Sequence, residues 1–168
     1  MAVNVSLSDS EARILRLAVF YMLGHPRWQS DRATSGRREE LVDVYRQASA
    51  GGEAAGVRLA VEPQTVLLLD SALGRVMPEL KTYGMLAAAS AGKRDASMVA
   101  GFDQELASLF PGVTEDQVAF DQLLGQLMGL RRDFGRTARA LTESAEIEAA
   151  EALEQERQSR PRWQFWRR

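Results

Sequence analysis

One stretch near the C-terminus carries an apolar stripe that only a long helix can place on one side of the chain. From residue 120 to residue 141, apolar side chains recur mostly at spacings of three or four residues, which aligns them along one face of an α-helix. The stripe consists of Phe120, Leu123, Leu124, Leu127, Leu130, Phe134, Ala138 and Leu141. The sequence therefore predicts a long packed helix as the last element of the fold.

Two helices are predicted in the first fifty residues. Ser8 and Glu11 have the spacing of a capping box, which predicts a helix that begins there and ends at Gly24-His25-Pro26. Residues 37–50 repeat apolar positions every three or four residues, so they are predicted to form the second helix. Residues 27–36 show no such periodicity and are expected to form an exposed loop.

Two more helices are predicted before the long one. The first begins at Pro63, and Pro78 is expected to kink or divide it because proline lacks the backbone N–H that a helix interior needs. The second runs from about residue 97 to residue 110 and is closed by Pro111-Gly112. Thr114 and Gln117 have the spacing of a second capping box, ahead of the last helix.

Residues 53–69 leave open whether the chain contains a strand. Val57, Leu59 and Val61 alternate as they would in a strand, whereas residues 53–55 favour a helix. A single strand needs a partner, and the only other candidate, residues 65–69, is better interpreted as helix.

The predicted fold class is therefore all-α, a bundle of about five helices with a long C-terminal helix and a short Trp/Arg-rich tail. The chain has 168 residues, enough to bury a core without disulfides or structural metals. We divide it into a bundle domain (residues 1–142), an acidic helical extension (143–158) and a basic aromatic tail (159–168).

The small net charge of −2 conceals a sharp segregation of charge along the chain. All 23 acidic residues lie at or before Glu156, whereas five of the 21 basic residues fall within the last twelve positions. The segment before residue 157 therefore carries −7 and the segment from residue 157 onward +5. An acidic body disfavours proteins that wrap nucleic acid.

The sequence contains no recognisable catalytic, metal or cofactor constellation, so a non-enzymatic protein without cofactors is expected. There is no cysteine, and the one histidine, His25, is expected to cap a helix beside Pro26. Gly92-Lys93 lacks both the earlier glycine and the following Ser or Thr of a phosphate-binding loop. Asp70 is expected at the polar edge of its helix; burial beside Arg75 or Arg58 is the alternative.

The middle of the last helix carries a basic cluster, Arg131, Arg132, Arg136 and Arg139, opposed by Asp133. The spacing of Arg132, Arg136 and Arg139 places them on one face. Such a face could contact phosphates, as the recognition helix of a DNA-binding protein does. Pairing with acidic residues of a neighbouring helix or of a partner chain is the simpler expectation.

The tail combines large aromatic side chains with arginine in a peptide too short to bury them. Pro161 ends the preceding helix, so the aromatic residues need a receptor surface. The residues predicted to bind a partner are Arg160, Arg162, Trp163, Phe165, Trp166, Arg167 and Arg168.

We therefore expect an interaction or adaptor protein whose tail docks on an unidentified partner protein, with Trp163 and Trp166 as anchors. Docking on its own body, an anionic membrane surface and single-stranded nucleic acid are the alternatives. The match of residues 26–29 to residues 161–164, Pro-Arg-Trp-Gln in both, is attributed to chance.

Two further properties are expected from the sequence: self-association and a cytoplasmic location. The packing stripe offers a surface for a homo-oligomer, through Leu123, Leu127, Leu130, Phe134 and Leu141. The longest uninterrupted apolar stretch of the first helix, residues 17–24, is far shorter than the roughly 18 residues that a membrane span needs. A cytoplasmic location is expected, with peripheral membrane attachment as the alternative.

Overall fold

The structure, a computed structural model, describes residues 2–29, 36–50, 56–89 and 99–159. In these ranges the chain is mostly helical, which confirms the all-α prediction with its long last helix, and one small two-stranded sheet is added. The elements are β1 (Val3–Leu7), α1 (Asp9–Gly24), α2 (Pro26–Gln29), α3 (Arg38–Ala50), β2 (Val57–Val61), α4 (Pro63–Ala89), α5 (Phe102–Leu109) and α6 (Gln117–Ser159).

Helix α1 occupies the centre of the fold and packs against α3, α4, α5 and α6. Its start is the predicted capping box: the Glu11 backbone N–H donates to the Ser8 hydroxyl (3.3 Å), and the Ser8 N–H donates to the Glu11 carboxylate (2.7 Å). Its end is capped by His25, whose N–H donates to the Tyr21 carbonyl (3.0 Å). Both predicted boundaries of this helix are confirmed.

The strand at residues 57–61 does have a partner, at the very start of the described chain. β2 pairs antiparallel with β1, with Val3 opposite Val61 and Leu7 opposite Val57. Val57, Leu59 and Val61 are buried while the residues between them are exposed. The alternation of apolar residues in β2 thus reflects a strand with one face on the core.

Helices α4 and α6 run antiparallel, and their contact buries most of the apolar stripe. A Cβ atom added to Gly74 would lie 3.2 Å from the Arg131 guanidinium, and one added to Gly135 would lie 3.4 Å from the Asp70 carboxylate. These two close approaches define the register of the helices. Residue 74 of α4 is level with residue 131 of α6 and residue 70 is level with residue 135, so residue numbers decrease along α6 as they increase along α4. At this register Pro63, the first residue of α4, is level with Thr142.

The stripe that was predicted to support self-association forms part of the core of a single chain. Leu123, Leu127, Leu130 and Phe134 are at most 3% exposed, and Leu141 is partly buried against the same core. Self-association stays a prediction, but these side chains need no second chain to be buried.

Two predicted features near the helix ends are wrong. Asp116, not Thr114, caps α6, because the Asp116 carboxylate accepts from the backbone N–H groups of Val118 (2.8 Å) and Ala119 (3.3 Å). Thr114 lies in the turn before the helix. Residues 26–29 form the one-turn helix α2 instead of the start of a loop, while residues 30–35 lie outside the described ranges.

The proline at position 78 does not divide its helix. α4 continues through Pro78 from Pro63 to Ala89, and its residues Val76 and Leu80, on either side, are buried in the core. Tertiary packing of this face therefore outweighs the loss of one backbone hydrogen bond. The next predicted helix begins at Phe102, later than the sequence indicated; residues 97 and 98 are outside the described ranges.

No helix within the described part of the chain is both long enough and apolar enough to cross a membrane.

Candidate interaction surface

A groove of about 720 Å³ runs along the outside of the fold between α4 and α6. Its α4 wall extends from Leu67 to Met77, and its α6 wall extends from Met128 to Glu146. The remaining residues that line it are Asp70, Arg131, Arg132, Gly135, Ala138, Arg139, Thr142 and Glu143. We call this feature the α4–α6 groove.

The groove collects three of the four arginines of the predicted basic cluster. Arg131, Arg132 and Arg139 line it and are exposed. Arg136 does not line it and instead forms an ion pair with Asp133, one turn earlier on the same helix. The predicted face of Arg132, Arg136 and Arg139 is therefore divided: Arg131 takes the place of Arg136.

The approach of Arg131 depends on the absence of a side chain opposite it. Its guanidinium lies over Gly74, where an added Cβ would meet three guanidinium atoms at 3.2 Å. Alanine at this position would press the arginine away from α4 by a few tenths of an ångström. Gly74 thus allows a charged group to lie against the wall of the groove.

Carboxylates surround these arginines. Asp70 is partly buried and faces α6 beside Gly135, rather than Arg75 or Arg58, so it sits at the groove edge of its helix. Glu143 and Glu146 line the end of the groove that is nearest the C-terminus. The groove is therefore basic along its middle and acidic at one end.

Apolar side chains also remain exposed here. Leu67 on α4 is 46% exposed and Met128 on α6 is 48% exposed. Both line the groove, and partly buried Met77 lines it level with Met128. Uncovered apolar surface that is rimmed by charges is typical of a docking site.

Beyond the groove, α6 continues without any neighbour from α4. Every side chain from Thr142 to Gln155 is exposed, including Ile147 (60%) and Leu153 (61%). The reason is the register: α4 begins level with Thr142, so it does not flank α6 beyond that residue. Residues 143–159, which we call the arm, extend for about 25 Å at 1.5 Å per residue.

The predicted partner-binding residues lie beyond this arm. Arg160, Arg162, Trp163, Phe165, Trp166, Arg167 and Arg168 are outside the described residues. The helix that leads to them is described as far as Ser159, so the tail follows directly from the end of the arm. Its docking role stays a prediction.

The first copy of the Pro-Arg-Trp-Gln sequence is part of the folded body. Trp28, in α2, is partly buried and the Arg75 guanidinium carbon lies 3.0 Å from the centre of its ring. The ring of buried His25 lies 6.0 Å from that of Trp28 and 5.4 Å from that of Tyr21. Aromatic packing and a cation–π contact therefore explain why a tryptophan is found at position 28.

His25 caps the C-terminal end of α1. Its Nδ1 atom accepts a hydrogen bond from the Arg27 backbone N–H (3.2 Å), so in the neutral ring the proton is on Nε2. The Tyr21 hydroxyl donates to Glu79 (3.4 Å), and burial, together with the charge of Glu79, raises the pKa of Tyr21 to about 12. This tyrosine is protonated at neutral pH and acts as a donor.

A second polar cluster joins α1, α3 and α5. The Glu105 carboxylate accepts from Arg16 (2.9 Å) and from the Tyr45 hydroxyl (2.8 Å), and the Arg16 guanidinium lies 4.9 Å from the centre of the Tyr45 ring. Burial and the hydrogen bond to Glu105 raise the pKa of Tyr45. The three side chains contact one another, as expected for a cluster that holds three helices together.

Among the residues that the structure describes, no group of three or more histidine or acidic side chains is placed to hold a metal ion. Comparison of the chain with models of protein families, with curated proteins and with solved structures finds no significant match.

Proposed function

We propose that this chain is a non-enzymatic interaction protein whose C-terminal Trp/Arg peptide docks on an acidic partner protein. The observation that carries the proposal is the arm. It runs beyond the helical body with its described side chains exposed from residue 143 to residue 155, and so holds whatever follows it about 25 Å from the bundle of its own chain. A helix that extends beyond its own bundle is suited to present a docking peptide to another molecule.

The tail has the composition of an interface anchor. Trp163 and Trp166 offer large apolar surfaces at low cost in side-chain entropy, and tryptophan and arginine are enriched among the residues that dominate binding energy. Five arginines from residue 157 onward orient the peptide and attract an acidic surface from a distance. A partner with an apolar pocket inside an acidic rim fits this chemistry.

Distance favours a separate receptor over the chain's own body. The nine residues after Ser159 span at most about 30 Å when fully extended. The arm alone separates them from the body by about 25 Å. The tail would have to double back along the whole arm, and only its last residues would arrive at the bundle.

The charges near the tail and in the groove weigh against the other receptors. Glu148, Glu151 and Glu154 lie on the arm beside the tail, and an anionic membrane, unlike a protein whose acidic rim is confined to the tail's pocket, would repel them. In the α4–α6 groove, Asp70 and Glu143 lie among the arginines, where a nucleic-acid backbone would bring further negative charge. A protein surface can match such mixed charges, whereas a uniform anion cannot.

The test uses the fluorescence of the tail tryptophans in the full chain. The substitution Trp28→Phe leaves only Trp163 and Trp166 as emitters. We expect emission typical of tryptophan in water, unchanged by phosphatidylglycerol vesicles or by single-stranded DNA at low and at physiological salt. The matched control is the Trp163→Ala/Trp166→Ala chain, which reports only Trp28.

Three results would contradict the proposal, each in its own way. Blue-shifted emission without any addition would mean that the tail already docks on this chain. A shift that requires anionic vesicles would assign the tail to the membrane surface. A shift with DNA that disappears steeply as salt rises would assign it to nucleic acid.

A further inference from the structure

The groove and the arm carry four of the five large exposed hydrophobic side chains of the described residues. The described residues include five large hydrophobic side chains with high exposure. Leu67 and Met128 line the groove, Ile147 and Leu153 lie on the arm, and only Val118 lies elsewhere. Both surfaces therefore have apolar area that would gain from being covered.

The arm is also destabilised by its own charges. It carries six glutamates and no basic residue before Arg157, and three pairs of these glutamates are three residues apart. Like charges at this spacing face each other on a helix and oppose its formation. A neighbour that carries positive charge along a helical groove would remove this repulsion.

We propose that the α4–α6 groove receives the arm of a second copy of this chain, so that two copies exchange arms in an antiparallel, two-fold symmetric dimer. The groove supplies the required positive charge, because Arg131, Arg132 and Arg139 line it and are exposed. The symmetry places the same contact at both ends of the interface. The dimer uses the outer flank of α6 and leaves its buried stripe within each chain.

The spacing of the charges selects the antiparallel orientation. With the symmetry axis beside residue 141, Arg139 of one copy faces Glu143 of the other, and Arg131 faces Glu151. The same alignment brings Leu153 beside Met128, so that the two exposed apolar side chains meet. A parallel dimer in register would place arginine against arginine and glutamate against glutamate, which is unfavourable.

The groove face continues onto the arm, as an antiparallel helix pair requires. Met128, Arg132, Gly135, Arg139 and Thr142 follow one another on α6 at three- and four-residue spacing, and the pattern extends through Glu146 and Ala149 to Leu153. Helices pack along such faces over several turns. A complementary surface thus lies opposite each part of the groove.

The tail of the same chain cannot reach the basic part of the groove at Arg131 and Arg132. Arg131 precedes Ser159 by about 42 Å of helix at 1.5 Å per residue. The nine residues that follow Ser159 reach back no more than about 30 Å. A second copy brings its arm in from the opposite direction and reaches the whole groove.

Sedimentation equilibrium of the full chain tests the association. We expect a species of twice the 18.6 kDa chain mass. Either Arg131→Glu/Arg139→Glu or Glu143→Arg/Glu151→Arg alone should weaken the dimer by more than about tenfold, because each change counts twice in a symmetric interface. Combining all four substitutions should restore it, and the reversal Arg38→Glu/Arg46→Glu on α3 is the charge-matched control.

Disulfide trapping tests the orientation, since the chain has no cysteine of its own. Under mild oxidation Thr142→Cys, close to the axis, should form a covalent dimer. Leu153→Cys should not, because the two copies of position 153 would lie on opposite sides of the axis, more than about 30 Å apart. Circular dichroism of each variant establishes that the chain remains folded.

A monomer at all concentrations would overturn the proposal, as would a dimer that the charge reversals leave unchanged. Covalent dimers with Leu153→Cys would overturn the antiparallel arrangement. These outcomes are separate from the proposed function of the tail, because Trp163→Ala/Trp166→Ala is expected to leave the dimer intact.

Discussion

Truncation of Leu127 to alanine should destabilise the chain by about 3 kcal/mol, the range for a buried leucine whose loss leaves a cavity. Leu127 is fully buried (0% exposed), in the middle of the face that α6 presents to the core. The packing around it comes from rigid helices, so little collapse of the cavity is expected. For a chain of this length the melting temperature should fall by about 10 °C.

An exposed residue of the same helix provides a matched control. Val118 is 65% exposed and does not line the groove, so Val118→Ala should cost less than about 1 kcal/mol. Urea unfolding followed by far-ultraviolet circular dichroism, at two protein concentrations, measures both losses. A loss of less than about 1 kcal/mol for Leu127→Ala, or one that grows on dilution, would show that the stripe is an intermolecular contact and refute its assignment to the core.

Three further changes test individual contacts. Glu105→Gln should lower the free energy of unfolding by about 1–2 kcal/mol, since the charged acceptor of Arg16 and Tyr45 is lost; an unchanged thermal melt would contradict this. Gly125→Ala should raise it by about 0.5–1 kcal/mol, because an added Cβ meets nothing within 4 Å and the residue lies inside a helix; a lower melting temperature would contradict it. Folding raises the pKa of Tyr21 from 10.0 to about 12, so stability present below pH 10 should be lost as pH rises towards 12; urea unfolding should show a smaller loss for Tyr21→Phe, and an equal loss would refute the assignment.

Local sequence signals predict the secondary structure correctly where one local interaction or repeat determines it. The capping box at Ser8 and Glu11 fixes the start of α1, and the three- and four-residue repeat fixes α6 as a helix. At the start of α6, both Thr114 and Asp116 have side chains that can cap a helix. The turn that follows Pro111 places Asp116 at the cap, and a spacing rule does not predict the geometry of that turn.

The sheet was missed because its two strands are far apart in the sequence. Val3, Val5 and Leu7 alternate as clearly as the residues of β2, but each strand has only five residues and the pairing spans about fifty positions. Such pairing depends on the whole fold bringing the strands together. The alternation immediately before Ser8 was the signal that could have identified the partner.

The arginines that line the groove could likewise be predicted only in part from the sequence. Helical spacing places Arg132 and Arg139 on one face, but it cannot tell which flank of that face lies beside α4. The register between the helices does, and it brings Arg131 into the groove while Arg136 pairs with Asp133. The position of Asp70 likewise depends on the space above Gly135.

The central claim is that the tail docks on another protein, and crosslinking from within the tail tests it most directly. A photoreactive phenylalanine in place of Phe165, activated in cells, should yield discrete adducts with a protein other than this chain. The adducts should disappear when Trp163 and Trp166 are replaced by alanine. Adducts with lipid alone, with this chain alone, or with the same proteins after that replacement would contradict the account.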